Sequence, residues 1–421
     1  MYQEQLMDLA EKIEQTILPY QQRVQKIVEH NQRKVLKAFQ THKVSDSHFN
    51  PTTGYGYDDM GREVLEQVFA ETFGTEDALV RPQIISGTHA ITLSLFGVLR
   101  PGDELLYITG KPYDTLEGVV GGEGEGSLKD FQIGYRHVEL KEDGSVNFDQ
   151  VKAQMNKQTK VIGIQRSKGY DDRPSFTVDE IEKMITYVKT IDPSCIVFVD
   201  NCYGEFVEEN EPTDVGADLM AGSLIKNPGG GLAKTGGYIV GREDLVYLCA
   251  NRLSAPGLGK EAGASLYSLQ EMYQGLFMAP HITGEALKGA IFTSCILDQC
   301  GFNTNPSYTE KRTDLIQSVI FADQDSMVSF CQAIQKASPI NSHVLPYPSP
   351  MPGYDHNVIM AAGTFIQGAS IELTADGPIR PPYTAYVQGG LTYEHVKIAV
   401  LSALENLMEK GFKIEFNATK E

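Results

Sequence analysis

Lys226 is the residue with the most chemistry within reach. It follows the short apolar run Ala221-Gly-Ser-Leu-Ile225 and leads into Asn227-Pro-Gly-Gly-Gly231. Beyond the glycines, Tyr238-Ile-Val240 reads as another strand. An amine placed there can be held in a packed, partly dry pocket. Desolvation lowers a lysine pKa, and a neutral amine forms a Schiff base with an aldehyde. The same residues also read as a surface lysine beside a glycine turn.

Three other groups bear on that choice. Asp200 ends Cys195-Ile-Val-Phe-Val199, an unbroken apolar run expected of a strand buried on both faces. A carboxylate at such a tip is costly unless paired. It either caps the next turn or pairs with a protonated ring nitrogen. Ser86-Gly87-Thr88 opens an apolar helix from Ala90 to Leu99. A helix start offers free N–H groups and a positive dipole, and its small hydroxyl residues let an anion approach. Ser and Thr are also ordinary caps. His89 beside them either touches a ring or is a satisfied structural histidine. Tyr113 lies in Thr109–Thr115, a loop at a strand's C-terminal end, where open α/β sheets bind ligands.

In chain order these are an anion-binding helix start, a loop aromatic, a strand-end carboxylate and a lysine beside Ser223. An enzyme using pyridoxal phosphate (PLP) needs each of them. The donors hold the phosphate, the aromatic stacks on the ring, the carboxylate keeps the ring nitrogen protonated, and the lysine binds the aldehyde and moves protons. Ser86, Gly87, Thr88, Tyr113, Asp200, Ser223 and Lys226 are therefore read as cofactor-binding, with Lys226, Tyr113 and Asp200 as the catalytic group. Lys234 lies past the glycines and lacks the Ser223 context.

These residues sit on an alternating pattern. Tyr135–Leu140, Val161–Gln165 and Cys195–Val199 read as strands; Val146–Gln158 reads as a helix; and Thr177-Val-Asp-Glu180 is a capping box opening another. Repeated β-α-β units predict a mostly parallel sheet covered by helices. The chain of 421 residues is long enough for several lobes. Residues 1–50 read as a helical arm, with one stripe ending at Pro19 and a second running to Phe39. Residues 51–285 read as the large α/β domain and 286–421 as a smaller α+β domain. In the latter, Val358–Met360 and Ala369–Leu373 look like strands, and Thr392 caps a helix.

A net charge of −19 argues against nucleic acid and anionic membrane surfaces as partners. Six scattered cysteines without CxxC pairs read as reduced cytosolic thiols. The start Met1-Tyr-Gln-Glu-Gln-Leu has neither the basic nor the apolar region of a signal peptide, so a cytoplasmic location is expected. Asn417–Thr419 matches a glycosylation sequon, which means nothing without secretion. Gly121–Gly126 is acidic and is not expected to hold phosphate. No GxGxxG follows the early strands, which disfavours a nicotinamide dehydrogenase.

The chain resembles the fold-type I PLP enzymes of the Cys/Met-metabolism group, the cystathionine lyases and methionine γ-lyase. Val199-Asp200-Asn201-Cys202-Tyr203 looks like that group's V-D-N-x-Y, and Ser223-Leu-Ile-Lys226 like its S-x-x-K. Ser86-Gly87-Thr88-His89-Ala90-Ile91 is similar to its S-G-M-x-A-I, and Tyr113 sits where a ring-stacking tyrosine is expected. Within the group it resembles a divergent branch linked to aluminium resistance. The resemblance implies PLP, carbon–sulfur bond cleavage by β- or γ-elimination on a sulfur-containing amino acid, and a homodimer or homotetramer with shared active sites. Transamination, aldol cleavage, decarboxylation and a non-catalytic, PLP-retaining role are the alternatives.

Three departures stand out. Tyr55-Gly56-Tyr57 occupies the place of a Y-x-R whose arginine reaches a neighbour's phosphate, so Tyr55 and Tyr57 are expected at the cofactor as neutral donors. Ile225 replaces a threonine. The Asn-Pro-Gly-Gly-Gly turn differs from the usual G-H-x-D. Family placement puts a substrate-carboxylate arginine late in the chain, where Arg380, anchored by prolines, is the residue expected.

Overall fold

The computed structural model describes residues 2–171, 173–351, 354–414 and 416. The Asn417–Thr419 sequon and Pro352 lie outside them. The chain forms two compact units, Asn31–Met278, and Met1–His30 together with Ala279–Glu421. The division between these units falls inside two long helices.

The first of these is α1, Tyr2–Thr41, one helix that runs through Pro19 instead of stopping there. Burial of Leu6, Ile13, Ile17 and Val24 along one stripe, at about 1.5–3 kcal/mol each, outweighs the roughly 3 kcal/mol that an interior proline costs.

Unit Asn31–Met278 is built on strands β1 (Asp77–Arg81), β2 (Glu104–Tyr107), β3 (Gly134–His137), β4 (Thr159–Gln165), β5 (Ile196–Asp200), β6 (Leu219–Ser223) and β7 (Gly237–Gly241). Among the described residues they form one sheet in the order β1-β7-β6-β5-β4-β2-β3. From β3 to β6 neighbouring strands are parallel, and β7 is antiparallel to both β6 and β1. Helices α2 (Met60–Thr72), α3 (Gly87–Val98), α4 (Asp114–Gly121), α5 (Phe148–Gln154), α6 (Val178–Ile191) and α7 (Glu243–Leu253) connect the strands or follow them. The apolar runs of β5, β6 and β7 are buried throughout, because helices pack on both faces of such a sheet. The register pairs Gln165 with Asp200 and Asp200 with Ala221. The C-terminal tips of β4, β5 and β6 therefore lie side by side, and the loops that leave them share one edge.

Helix α8 (Leu269–Gln299) leads into the other unit. There β8 (Asn303–Asn305), β9 (Gln317–Phe321), β10 (Val358–Ala361), β11 (Thr374–Pro378) and β12 (Tyr383–Gln388) make an antiparallel sheet in the order β10-β11-β12-β9-β8. Helices α9 (Gln324–Lys336) and α10 (Tyr393–Glu409) complete the unit. Thr392 caps α10 as expected, accepting from His395 N. Ala369–Leu373 is not a strand. Ala369, Ile371 and Leu373 are buried, which mimics strand alternation. Glu372 instead accepts the N–H groups of Phe365 and Ile366, and Gly390 N–H donates to the Ile371 carbonyl. The segment therefore turns locally, and the strand starts at Thr374.

All six cysteines are buried and unpaired. Burial pushes the Cys195, Cys249, Cys295 and Cys300 thiols up to about 12. Among the described residues no helix is long and apolar enough to cross a membrane.

Candidate active site

The site is assembled on the shared sheet edge. Ser223 is the last residue of β6, and the chain turns through Leu224 and Ile225 to place Lys226 at the start of a single 3-10 turn, Asn227–Gly229. The Lys226 Nζ stands 3.9 Å from the centroid of the Tyr203 ring. Asp200 ends β5 next door and is 4% exposed. Its Oδ1 accepts from Cys202 N–H at 3.1 Å.

Burial pushes the Asp200 carboxyl above its ordinary value, while the Lys226 charge, hydrogen bonds from Cys202 and the Arg173 charge pull it down. A buried carboxylate of this kind is completed by a cation. Lys226 departs from the sequence expectation. Burial does lower its ammonium, but Cys202, Tyr203, Asp200 and Tyr113 outweigh that, and the net direction is upward. A cation paired with Asp200 removes the carboxylate's share of that pull.

The opposite wall is the start of α3. Ser86 caps the helix, accepting from His89 N at 3.0 Å. A Cβ added at Gly87 would stand 3.1 Å from Cys202 Sγ and 3.4 Å from Ser223 Cβ. The missing side chain thus lets the helix start pack directly against both the Asp200 turn and Ser223. Thr88 Oγ1 lies 2.9 Å from the Tyr113 hydroxyl, and Tyr113 N–H donates to Gln165 Oε1 at 2.8 Å. Burial, followed by the nearby Asp200 charge, pushes the Tyr113 phenol far up, so it stays protonated.

Ser86, Gly87, Thr88, Tyr113, Asp200, Ser223 and Lys226 are therefore brought together as the sequence suggested. His89 takes the structural option: its Nδ1 accepts the Ile85 N–H at 3.2 Å, and burial lowers its pKa. Lys234 is exposed and pairs with Glu271. The glycine-rich Gly121–Gly126 loop turns the N–H groups of Gly124 and Gly126 onto Asp130.

Tyr55 and Tyr57 are placed differently. Their rings stack on each other, 5.4 Å between centroids, and both are exposed. Their backbone is held firmly, since buried Arg62 donates to the carbonyls of Gly56 and Gly263 at 2.7 and 2.8 Å. Arg380 is exposed in the bend between β11 and β12.

Several residues of the site carry no signal in the sequence. Tyr203 has φ +73° and Phe206 +62°, left-handed backbone that costs about 1–3 kcal/mol per bulky residue. Buried hydrogen bonds hold the turn there. Asn227 Nδ2 donates to the carbonyls of Tyr203 (3.1 Å) and Glu205 (2.9 Å). Arg166, fully buried, donates to Gly204 O (2.9 Å), Asn201 Oδ1 (2.8 Å) and Glu208 Oε1 (2.9 Å). Glu205 is buried behind Lys226, its Oε1 accepting from Tyr238 at 2.7 Å, and burial pushes its carboxyl up to about 8. Gly222 leaves room for it, as a Cβ there would be 2.5 Å from Glu205 Oε1. Tyr203 stands inside the V-D-N-x-Y stretch, but the pattern gives no hint of its backbone conformation.

The donor set fits PLP. Hydroxyls and peptide N–H groups at Ser86–Thr88 and Ser223 suit the phosphate. Tyr113 offers an aromatic face, Asp200 a carboxylate for the ring nitrogen, and Lys226 an amine for the aldehyde. The fold and this site define a fold-type I PLP-dependent lyase. The methionine gamma-lyase family model matches residues 6–408, and the chain belongs to that family.

The chain is also similar to individual relatives. The Bacillus subtilis protein YnbB is 65% identical over 410 residues, covering 97% of each chain. A Listeria innocua structure, presented as a candidate cystathionine beta-lyase involved in aluminium resistance, is 66% identical. It covers 95% of this chain and 98% of its own, with a TM-score of 0.94. The carbon-sulfur lyase involved in aluminium resistance from Clostridium novyi is 48% identical over 96% and 97%, with a TM-score of 0.92. The PLP-dependent YhfS of Escherichia coli, at 16% identity and TM-score 0.61, shares the fold alone.

Proposed function

We propose that this chain uses PLP bound at Lys226 to cleave the carbon–sulfur bond of a small amino acid, consuming one water and releasing a thiol, a 2-oxo acid and ammonia. The observation that carries this is the convergence of the Lys226 amine, the buried Asp200 carboxylate and the Tyr113 ring on one sheet edge, with the α3 start packed against Ser223. When bound, PLP supplies the electron sink. Asp200 holds the ring nitrogen as a cation. Lys226 takes the Cα proton and can pass it on to the departing sulfur. Tyr113, kept protonated by its burial, donates a hydrogen bond and does not act as a base at neutral pH. Ser86, Thr88, Ser223 and the α3 N–H groups orient the phosphate end.

A second copy of the chain completes the site in this reading. Tyr55, Tyr57, Met60, Ile85, Leu266 and Tyr267 are all exposed. The segments carrying Tyr55 and Tyr57, and Leu266 and Tyr267, are tied together by Gly263 N–H to Tyr55 O and Leu266 N–H to Thr52 O. That apolar face is the one we assign to the homodimer, with Tyr55 and Tyr57 reaching the partner's phosphate.

The test is a spectrum and product assay with cystathionine, methionine and cysteine. Purified protein absorbs in the yellow Schiff-base band, Lys226→Ala loses it, and at least one substrate yields thiol and 2-oxo acid. A protein that takes up no added PLP overturns the reading. Keto-acid-dependent amino-group exchange without thiol release replaces it with transamination.

A further inference from the structure

The Tyr203 ring has no part in the reaction as read so far, yet its centroid lies 3.9 Å from the Lys226 amine. Its position is imposed. The backbone at Tyr203 is held in the left-handed region at φ +73°, and Asn227, the residue after the lysine, ties the Tyr203 and Glu205 carbonyls to the lysine turn. The lysine and the ring are therefore two parts of one clamped unit, and the ring face lies 3.9 Å from Nζ. An aromatic face attracts an ammonium and does little for a neutral amine.

We propose that Tyr203 is a positioning residue that favours the protonated form of Lys226 during proton transfer. This rests on the reading of Lys226 as the group that removes the Cα proton. In that step the Cα–H bond breaks, an Nζ–H bond forms, and the electron pair is left on the substrate carbon. The base ends the step as an ammonium over the Tyr203 ring, so the ring stabilises the product of the transfer more than its start. The other groups facing Lys226 are Asp200, Cys202 and Tyr113, with Glu205 behind it. Asp200 is committed to the ring nitrogen. The Tyr113 phenol is held protonated by burial, and the Cys202 thiol is pushed well up by burial and so stays neutral. The Tyr203 ring, held with its face 3.9 Å from Nζ, is then the group that discriminates between amine and ammonium.

The experiment measures Cα-proton exchange of alanine in D2O, by NMR, across pH, with PLP-loaded full-length protein. Alanine has no leaving group, so the readout does not depend on the natural substrate. Tyr203→Phe keeps the ring and is expected to keep the pH at which the acid limb falls. Tyr203→Leu is expected to move the acid limb of the profile to lower pH by about half a unit to one and a half units, with a lower plateau. Tyr203→Gly relaxes the left-handed backbone while removing the ring, and is expected to show the same shift. An acid limb unmoved in the Leu and Gly variants overturns the proposal even where their rates fall, since a merely structural role lowers rate without moving the limb. A wild-type protein that binds no PLP overturns the proposed function itself, and this proposal with it.

Discussion

The two ends of the site differ in the kind of group they present. Around Lys226 the polar groups are ionisable and buried: Asp200 is held by Cys202 N–H from its own turn, and the Tyr203–Glu205 turn by Asn227 and Arg166 from other loops. Around Ser86–Thr88 they are hydroxyls and peptide N–H groups. Tyr55 and Tyr57, where related lyases place a tyrosine and an arginine, lie exposed with only their backbone fixed. The charged end is complete within one unit of the chain, and the phosphate end is left to neutral donors. Charge-assisted bonds are roughly twice as strong as neutral ones, so most of the catalytic sensitivity is expected at the Lys226 end.

Breaking the charged end gives the largest effect. Asp200→Asn removes the carboxylate that holds the ring nitrogen and is expected to lower turnover by about 10²–10³ while PLP stays bound; steady-state kinetics and absorbance check it. A smaller change would mean that Asp200 only caps its turn.

Glu205 sharpens the same end through stability. Burial pushes its carboxyl up to about 8 in the folded chain, against an ordinary 4.5. Between those values the folded protein binds one more proton than the unfolded one. Stability contributed by this group is therefore highest below about 4.5 and falls as pH rises towards 8. Glu205→Gln is expected to flatten that slope and to stabilise the protein by a few kcal/mol near pH 8. Urea melts at pH 5 and pH 8 measure it, and equal slopes in the two proteins would refute it.

The neutral end responds least. Ser223→Ala is expected to cost about 1 kcal/mol, a roughly fivefold loss of PLP affinity, with kcat nearly unchanged at saturating PLP. Fluorescence titration with PLP reads it. A hundredfold loss would show that this end carries more than neutral hydrogen bonds.

Much of this was legible because the decisive signals are local. An apolar strand ending in Asp200, a Ser-Gly-Thr helix start and a lysine three residues after Ser223 are visible in short windows, and their order implies the sheet edge that gathers them. What was not legible depends on distant partners. Nothing near Tyr203 announces φ +73°, because the hydrogen bonds that hold it come from Asn227 and Arg166. The surroundings of Lys226 were out of sight for the same reason: burial is local, but Asp200 and Tyr113 arrive from other loops. In α1 the stripe on both sides of Pro19 was visible, yet a single proline outweighed it in the reading. At Ala369–Leu373 burial imitated a strand that Glu372 prevents.

The six buried cysteines have a practical consequence. Thiolate, not thiol, reacts with alkylating reagents, and these thiols are both enclosed and held protonated. In the native protein they are expected to be silent, so each acts as a timer for the opening of its own neighbourhood. Pulsed alkylation followed by mass spectrometry would give six local opening rates from unmodified protein: Cys202 for the catalytic turn, Cys195 and Cys249 for the large sheet and its covering helix, and Cys331 for the small sheet's helix.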